Sequence, residues 1–163
     1  LGISTAHAAD KGTPPPATLD QIISGSNLKG CFVESSIAGT YLRSTREAIA
    51  GIGGGCDVVL ANLVIGGGIR ADWGDLANTG SIFAKLGVSI NNGATLYGLA
   101  EWKVPEWKVK DAGQLAIGAG AELQLQIINP NLSAFAEGTF AASKFGLATR
   151  DDVNARLGLR YRF

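Results

Sequence analysis

From residue 30 onward the chain repeats one unit: a run of about ten residues with an apolar side chain at every second position, followed by a turn. A period of two belongs to a β-strand, whose successive side chains point to opposite faces of a sheet. What makes the pattern restrictive is where the charges fall. Glu34, Asp57, Arg70, Asp72, Lys85, Glu101, Lys103, Glu122, Glu137, Arg156, Arg160 and Arg162 all lie on one face of their runs, and the other face of those runs carries no charge. The uncharged face is made of residues such as Val33 and Ile37, Ile52 and Val58, Ile65 and Ile69, Ile82 and Leu86, or Leu115, Ile117, Ala119, Ala121 and Leu123. Phe83, Tyr97 and Leu99 are apolar residues on the charged side.

Eight such runs follow one another, beginning with "CFVESSIAGTYL" and closing with "VNARLGLRYRF". Eight hairpin-connected strands form a meander, and an even number allows the first strand to pair antiparallel with the last, which removes both sheet edges. The turns after the second, fourth and sixth runs are tight and uncharged: "AN" at 61–62, "NNG" at 91–93 and "INPN" at 128–131. Those after the third, fifth and seventh, "GDLANTG", "PEWKVKD" and "KFGLATRDD", are longer or charged, while the first hairpin near "RSTRE" is charged but short. No segment supplies the ~20 continuous apolar residues of a membrane-spanning helix. The 23 glycines also argue against a helical bundle, since each interior glycine costs a helix roughly 1 kcal/mol relative to alanine. The expected fold class is all-β, an eight-stranded antiparallel up-and-down transmembrane β-barrel.

Three segments divide the chain. Residues 1–8 read as the remnant of a secretory signal peptide, because Ala6-His7-Ala8 has the small-x-small pattern that precedes cleavage. Residues 9–29, with a triple proline and many turn formers, read as a periplasmic linker. Residues 30–163 carry the barrel.

An eight-stranded barrel has an interior just wide enough to be filled by side chains or to hold one small ligand. A soluble, lipocalin-like carrier would turn its charged face to water; a membrane barrel would turn it inward. A face wholly free of charge favours the second, because an Arg or Lys at the bilayer midplane costs ~2 to 4 kcal/mol. Glu34, Arg70, Lys85, Glu101, Glu122, Glu137, Arg156 and Arg160 are then expected to form a lumen ion-pair network, with Lys103 and Arg162 nearer the ends and solvated. Gly51, Gly53 and Gly55 share that face and leave room for the long charged side chains. Tyr41, Trp73, Trp102 and Tyr161, near run ends on the uncharged face, are candidates for an aromatic girdle.

The closing "LGLRYRF", with Leu157, Leu159, Tyr161 and Phe163 at alternating positions, resembles the C-terminal signature of outer-membrane β-barrels. Together with the eight runs it makes residues 30–163 similar to the small OmpA-like or opacity-protein-like barrels. The resemblance implies location in the bacterial outer membrane, contact with the lipid bilayer and lipopolysaccharide, and recognition of the C-terminal residues by the barrel-assembly machinery. An envelope or membrane protein partner is also compatible with it. The basic residues are scattered, with no basic patch interleaved with aromatics, so no nucleic-acid partner is expected.

Nothing in the sequence points to catalysis. Barrel enzymes resembling lipid A deacylases or omptin proteases use a histidine base, and the one histidine here is His7, in the signal-like segment. No catalytic residue, cofactor or metal site is assigned, and the glycine-rich "GIGGGCD" and "VIGGGIRAD" do not lead into a helix as a phosphate loop would. Cys31 and Cys56 are either a disulfide or two buried thiols; a tight first turn at Arg43-Ser44 would set them opposite each other. The expected role is that of a non-catalytic barrel with a structural or surface-interaction function, with a small pore or a soluble lipocalin-like carrier as alternatives.

Overall fold

In the computed structural model, residues 30–42, 45–74, 78–90, 93–105, 113–142 and 153–163 are described. The expected signal remnant, the linker and the side chain of Tyr41 lie outside the described residues. Eight strands, β1 (Gly30–Leu42), β2 (Thr45–Leu60), β3 (Leu63–Gly74), β4 (Asn78–Ile90), β5 (Ala94–Pro105), β6 (Gln114–Gln124), β7 (Leu132–Ala142) and β8 (Val153–Arg162), form a closed antiparallel barrel. Each strand pairs with the next, and β1 pairs with β8 over Phe32↔Arg162 to Tyr41↔Val153. Gly30 and Phe163 therefore lie at one rim, together with the β2–β3, β4–β5 and β6–β7 connections.

Two connections differ from the sequence expectation. "GDLANTG" is largely strand: β3 runs to Gly74, Trp73 pairs with Asn78, and residues 75–77 alone connect the strands. The ladder is carried past its turn-forming residues because Gly74 is also paired with Ile49 of β2. Conversely, the turn expected at 128–131 is part of a longer wound segment, residues 125–131. There Ile128 and Asn129 both donate their N–H to the Leu125 carbonyl, and Leu125 N–H donates to Leu132 O. Short and long connections are thus less sharply sorted between the two rims than the sequence implied.

The β2–β3 turn needs only Ala61 and Asn62, because Leu60 pairs directly with Leu63. Ala61 has φ 55°, the left-handed conformation that two-residue hairpins require and that a Cβ disfavours.

Burial is inverted relative to a water-soluble domain. Ile37, Ile69 and Ile82 face outward and are about two-thirds exposed (69%, 65% and 65%), whereas Arg70, Lys85, Glu101, Glu122 and Arg160 are buried inside. The purely apolar interior cluster is small, Val59 against Val64 beside the β2–β3 turn. Glycine on the inner face of β2 is a packing requirement: a Cβ at Gly51 would run into the Asp72 carboxylate and the Arg156 guanidinium.

Candidate functional site: the charged lumen

Alternation along each strand delivers the ionisable side chains to the interior, and closure of the sheet brings together residues that no single hairpin could. Arg160, on β8, is the hub. Its Nε donates to Glu34 at 2.8 Å, Nη1 to Glu122 at 2.7 Å, and Nη2 to Glu137 at 2.8 Å, so that one guanidinium ties β8 to β1, β6 and β7. The Tyr97 hydroxyl donates to Glu137 at 2.8 Å, and Arg160 Nη1 also reaches that hydroxyl at 3.2 Å. Arg70 enters from β3, donating to Glu34 and, at 2.9 Å, to Glu137.

Toward the Gly30/Phe163 rim, Lys85 pairs with Asp57 at 2.8 Å and lies 3.5 Å from Glu122. Toward the other rim, Arg156 grips Asp72 with both terminal nitrogens (2.8 and 2.7 Å) and donates to the Ser36 hydroxyl at 2.7 Å. Glu101 accepts from Ser81 at 2.6 Å and has Lys103 at 3.5 Å. Every residue of the sequence-derived set is buried in the lumen with a charged partner: Glu34, Arg70, Lys85, Glu101, Glu122, Glu137 and Arg160 through the Arg160 and Arg70 contacts or those of Lys85, and Arg156 in a separate group with Asp72 and Ser36.

Arg162 was expected at a wet rim and is not there. It is buried, and its Nη2 donates to Asp57 at 3.0 Å and to Glu122. The β1–β8 ladder extends to Arg162, opposite the inward Phe32, so alternation directs its side chain into the barrel rather than past the rim. Lys103 keeps a partly exposed side chain. With Arg162, Asp57 and Asp72 included, the described lumen cations Arg70, Lys85, Lys103, Arg156, Arg160 and Arg162 equal in number the described carboxylates Glu34, Asp57, Asp72, Glu101, Glu122 and Glu137. Matching matters because an unpaired charge buried at this depth costs several kcal/mol.

Sequence reasoning placed Phe83 and Tyr97 on the charged side but missed Phe32 and Phe135 and the contact of these rings with the cations. The Arg160 guanidinium lies 4.0 Å from the Phe135 ring centroid and 5.0 Å from that of Phe32, and Arg70 lies 4.1 Å from that of Phe83. These rings separate the ion pairs and add cation–π attraction, which is larger where water is excluded. The available signal was parity: Phe32, Phe83, Tyr97 and Phe135 sit in phase with the charged residues of their own strands.

On the outer wall, the directly paired Cys31 and Cys56 are joined by a disulfide. Trp73 and Trp102 are half-exposed toward one rim, while Tyr161 is half-exposed toward the other. Leu157, Leu159, Tyr161 and Phe163 all point outward. Among the described residues no group of three or more His, Cys, Asp or Glu side chains is placed to hold a metal ion. Chemically, the lumen is a buried lattice of opposite charges in which each described carboxylate has at least one cation within 4 Å.

No model of a known protein family matches the sequence, and no curated protein does. Among solved structures, the chain is similar to a de novo designed transmembrane β-barrel, at 15% identity and a TM-score of 0.57, over 83% of this chain and 98% of that one. It also matches the Yersinia pestis outer membrane protein Ail in a phospholipid bilayer nanodisc (17% identity, TM-score 0.45, 81% and 99% covered). A third match is the KdgM porin (8% identity, TM-score 0.40, 81% and 99% covered). The likeness to the designed barrel, with the closed eight-stranded sheet, shows the fold to be that of a transmembrane β-barrel.

Proposed function

We propose that this chain is a non-catalytic bacterial outer-membrane β-barrel whose role is structural, or to present a surface to a partner in the envelope. The observation that carries the reading is the inverted burial: a lumen of matched charges enclosed by a wall whose outward large residues are aliphatic or aromatic. Lipid is the solvent that such a wall fits, since an outward Ile or Leu gains nothing from water. The resemblance of "LGLRYRF" to the C-terminal signature of OmpA-like and opacity-protein-like barrels supports the same location, with lipopolysaccharide and phospholipid as surroundings and the barrel-assembly machinery as a partner in biogenesis. The rim that holds Gly30 and Phe163 would then face the periplasm.

A pore is disfavoured by the lattice itself, because Arg160, Arg70 and the rings of Phe32, Phe83 and Phe135 occupy the middle of the lumen. An apolar ligand of the lipocalin kind has no seat among these ions. Two measurements test the reading. Membrane fractionation with gel mobility before and after boiling should place the protein in the outer membrane and show a heat-dependent shift. Planar bilayers should show no conductance steps above background. Recovery as a soluble periplasmic protein with unchanged mobility would overturn the membrane assignment, and reproducible steps would overturn the sealed lumen.

A further inference from the structure

The β6–β7 connection, "LQIINPN" at 125–131, presents Ile127 and Ile128 at its tip, fully exposed and 74% exposed respectively. Two isoleucines in such a position are costly in water, and the backbone around them is tightly held. Ile128 N–H and Asn129 N–H share the Leu125 carbonyl, at 2.9 Å each, and Leu132 N–H donates to Asn129 O at 3.0 Å. Asn129 Oδ1 accepts from Asn131 N–H at 2.8 Å, and the Gln124 side-chain amide caps the Pro130 carbonyl. Arg162 N–H donates to Asn131 O at 2.8 Å, tying the loop to β8. A segment fixed by this many bonds displays its isoleucines as a preset surface, with little entropy left to lose on burial.

Two further observations say what that surface meets. The tip is continuous with the outer wall: a concavity of about 660 Å³ is lined by outward Leu123, half-buried Leu125, Gly93 of the β4–β5 connection, and Ile127 and Ile128. From Leu123 through Ala136 the chain also has no Asp, Glu, Lys or Arg, so the loop offers amides and aliphatic side chains together. That combination suits the boundary between headgroups and acyl chains, where apolar groups are inserted and amides stay hydrated.

We propose that residues 125–131 are an interfacial anchor, inserted into the lipid leaflet at the Gly30/Phe163 rim and extending the apolar belt of the barrel below β6 and β7. The inference rests on the membrane reading above. The β2–β3 turn on the far side of the same rim is only Ala61-Asn62 and has no such tip. The belt is therefore taller on one side, and the anchor biases how the barrel tilts in the bilayer.

The test uses the full chain with Trp73, Trp102 and Trp107 replaced by phenylalanine, carrying a single tryptophan as Ile127→Trp or Ile128→Trp. Each protein is folded into phosphatidylcholine vesicles brominated at either shallow or deep acyl positions. Leu86→Trp, on the outward face of β4, serves as the wall control. The expected result at 127 and 128 is blue-shifted emission, loss of access to aqueous iodide, and quenching that is stronger with shallow bromines than with deep ones. The two positions back each other should one variant fold poorly. Water-like emission and full iodide quenching at 127 and 128, with Leu86→Trp still quenched by bromine, would overturn the anchor and leave the membrane reading intact. Escape of Leu86→Trp from bromine as well would overturn both.

Discussion

Arg160 of β8 and Glu122 of β6 meet across the lumen, Nη1 to Oε2 at 2.7 Å, although β7 lies between their strands in the sheet. Both are sealed from solvent, and Arg160 is 0% exposed. Replacing Arg160 with methionine keeps much of its volume but leaves Glu34, Glu122 and Glu137 each without one cation. Breaking a buried pair in this way costs about 3–5 kcal/mol, so urea unfolding of the R160M barrel in lipid vesicles should show a loss of that order. A loss below about 1 kcal/mol, the scale of an exposed pair, would mean that the lumen is hydrated.

The disulfide closes a 25-residue separation between Cys31 and Cys56. A cross-link of that length restricts the unfolded chain by about 3.5 kcal/mol in the loop-entropy account. The Cys31→Ser, Cys56→Ser double variant should lose stability on that scale, and reductant should destabilise the native protein but not the variant. An identical response of the two proteins to reductant would refute the assignment.

Ala61 holds a left-handed conformation that glycine adopts without penalty. Ala61→Gly relieves the Cβ clash but also frees the unfolded chain, and the first effect is the larger where φ is positive. A gain of about 0.5–1 kcal/mol in the same unfolding assay is expected.

Ile69, outward near the middle of β3, separates the inside from the outside of the wall. Ile69→Arg should cost about 2–4 kcal/mol in a bilayer, where the guanidinium would lie near the midplane. The same variant assayed in water would be close to neutral if the wall faced water, so a neutral result for the vesicle-reconstituted protein contradicts the membrane reading.

Strand number, closure and the assignment of faces were readable from the chain because period-two patterning is local: Glu34 and Ser36, or Arg156 and Arg160, show their common face from spacing alone. The sequence leaves the first hairpin open, since it allows a two-residue turn at 43–44 but does not exclude a longer loop; Leu42 paired with Thr45 decides the β1–β2 register. The partners inside the lumen were not readable, for a physical reason. Which carboxylate meets Arg160 depends on how far each strand is staggered against the next, and staggers accumulate around a barrel before β8 meets β1. Arg162 illustrates this, because alternation put it on the charged face but only the stagger of the strands brings Asp57 and Glu122 to it. The 125–131 segment was misjudged because Asn129, Pro130 and Asn131 advertise a turn, whereas the side-chain amide bonds that lengthen it carry no periodic signature.

The Arg160–Glu34 pair joins residues separated by 126 positions, and Arg156–Ser36 joins residues separated by 120. No subset of hairpins can form these contacts, so a half-built sheet would present bare carboxylates and guanidinium groups to hydrocarbon. A sheet whose β8 has not met β1 leaves these groups without each other, so the pairs are completed only when the seam closes. The lattice that fills the barrel thus distinguishes the closed sheet from an open one, because its longest-range pairs exist only where β8 lies against β1.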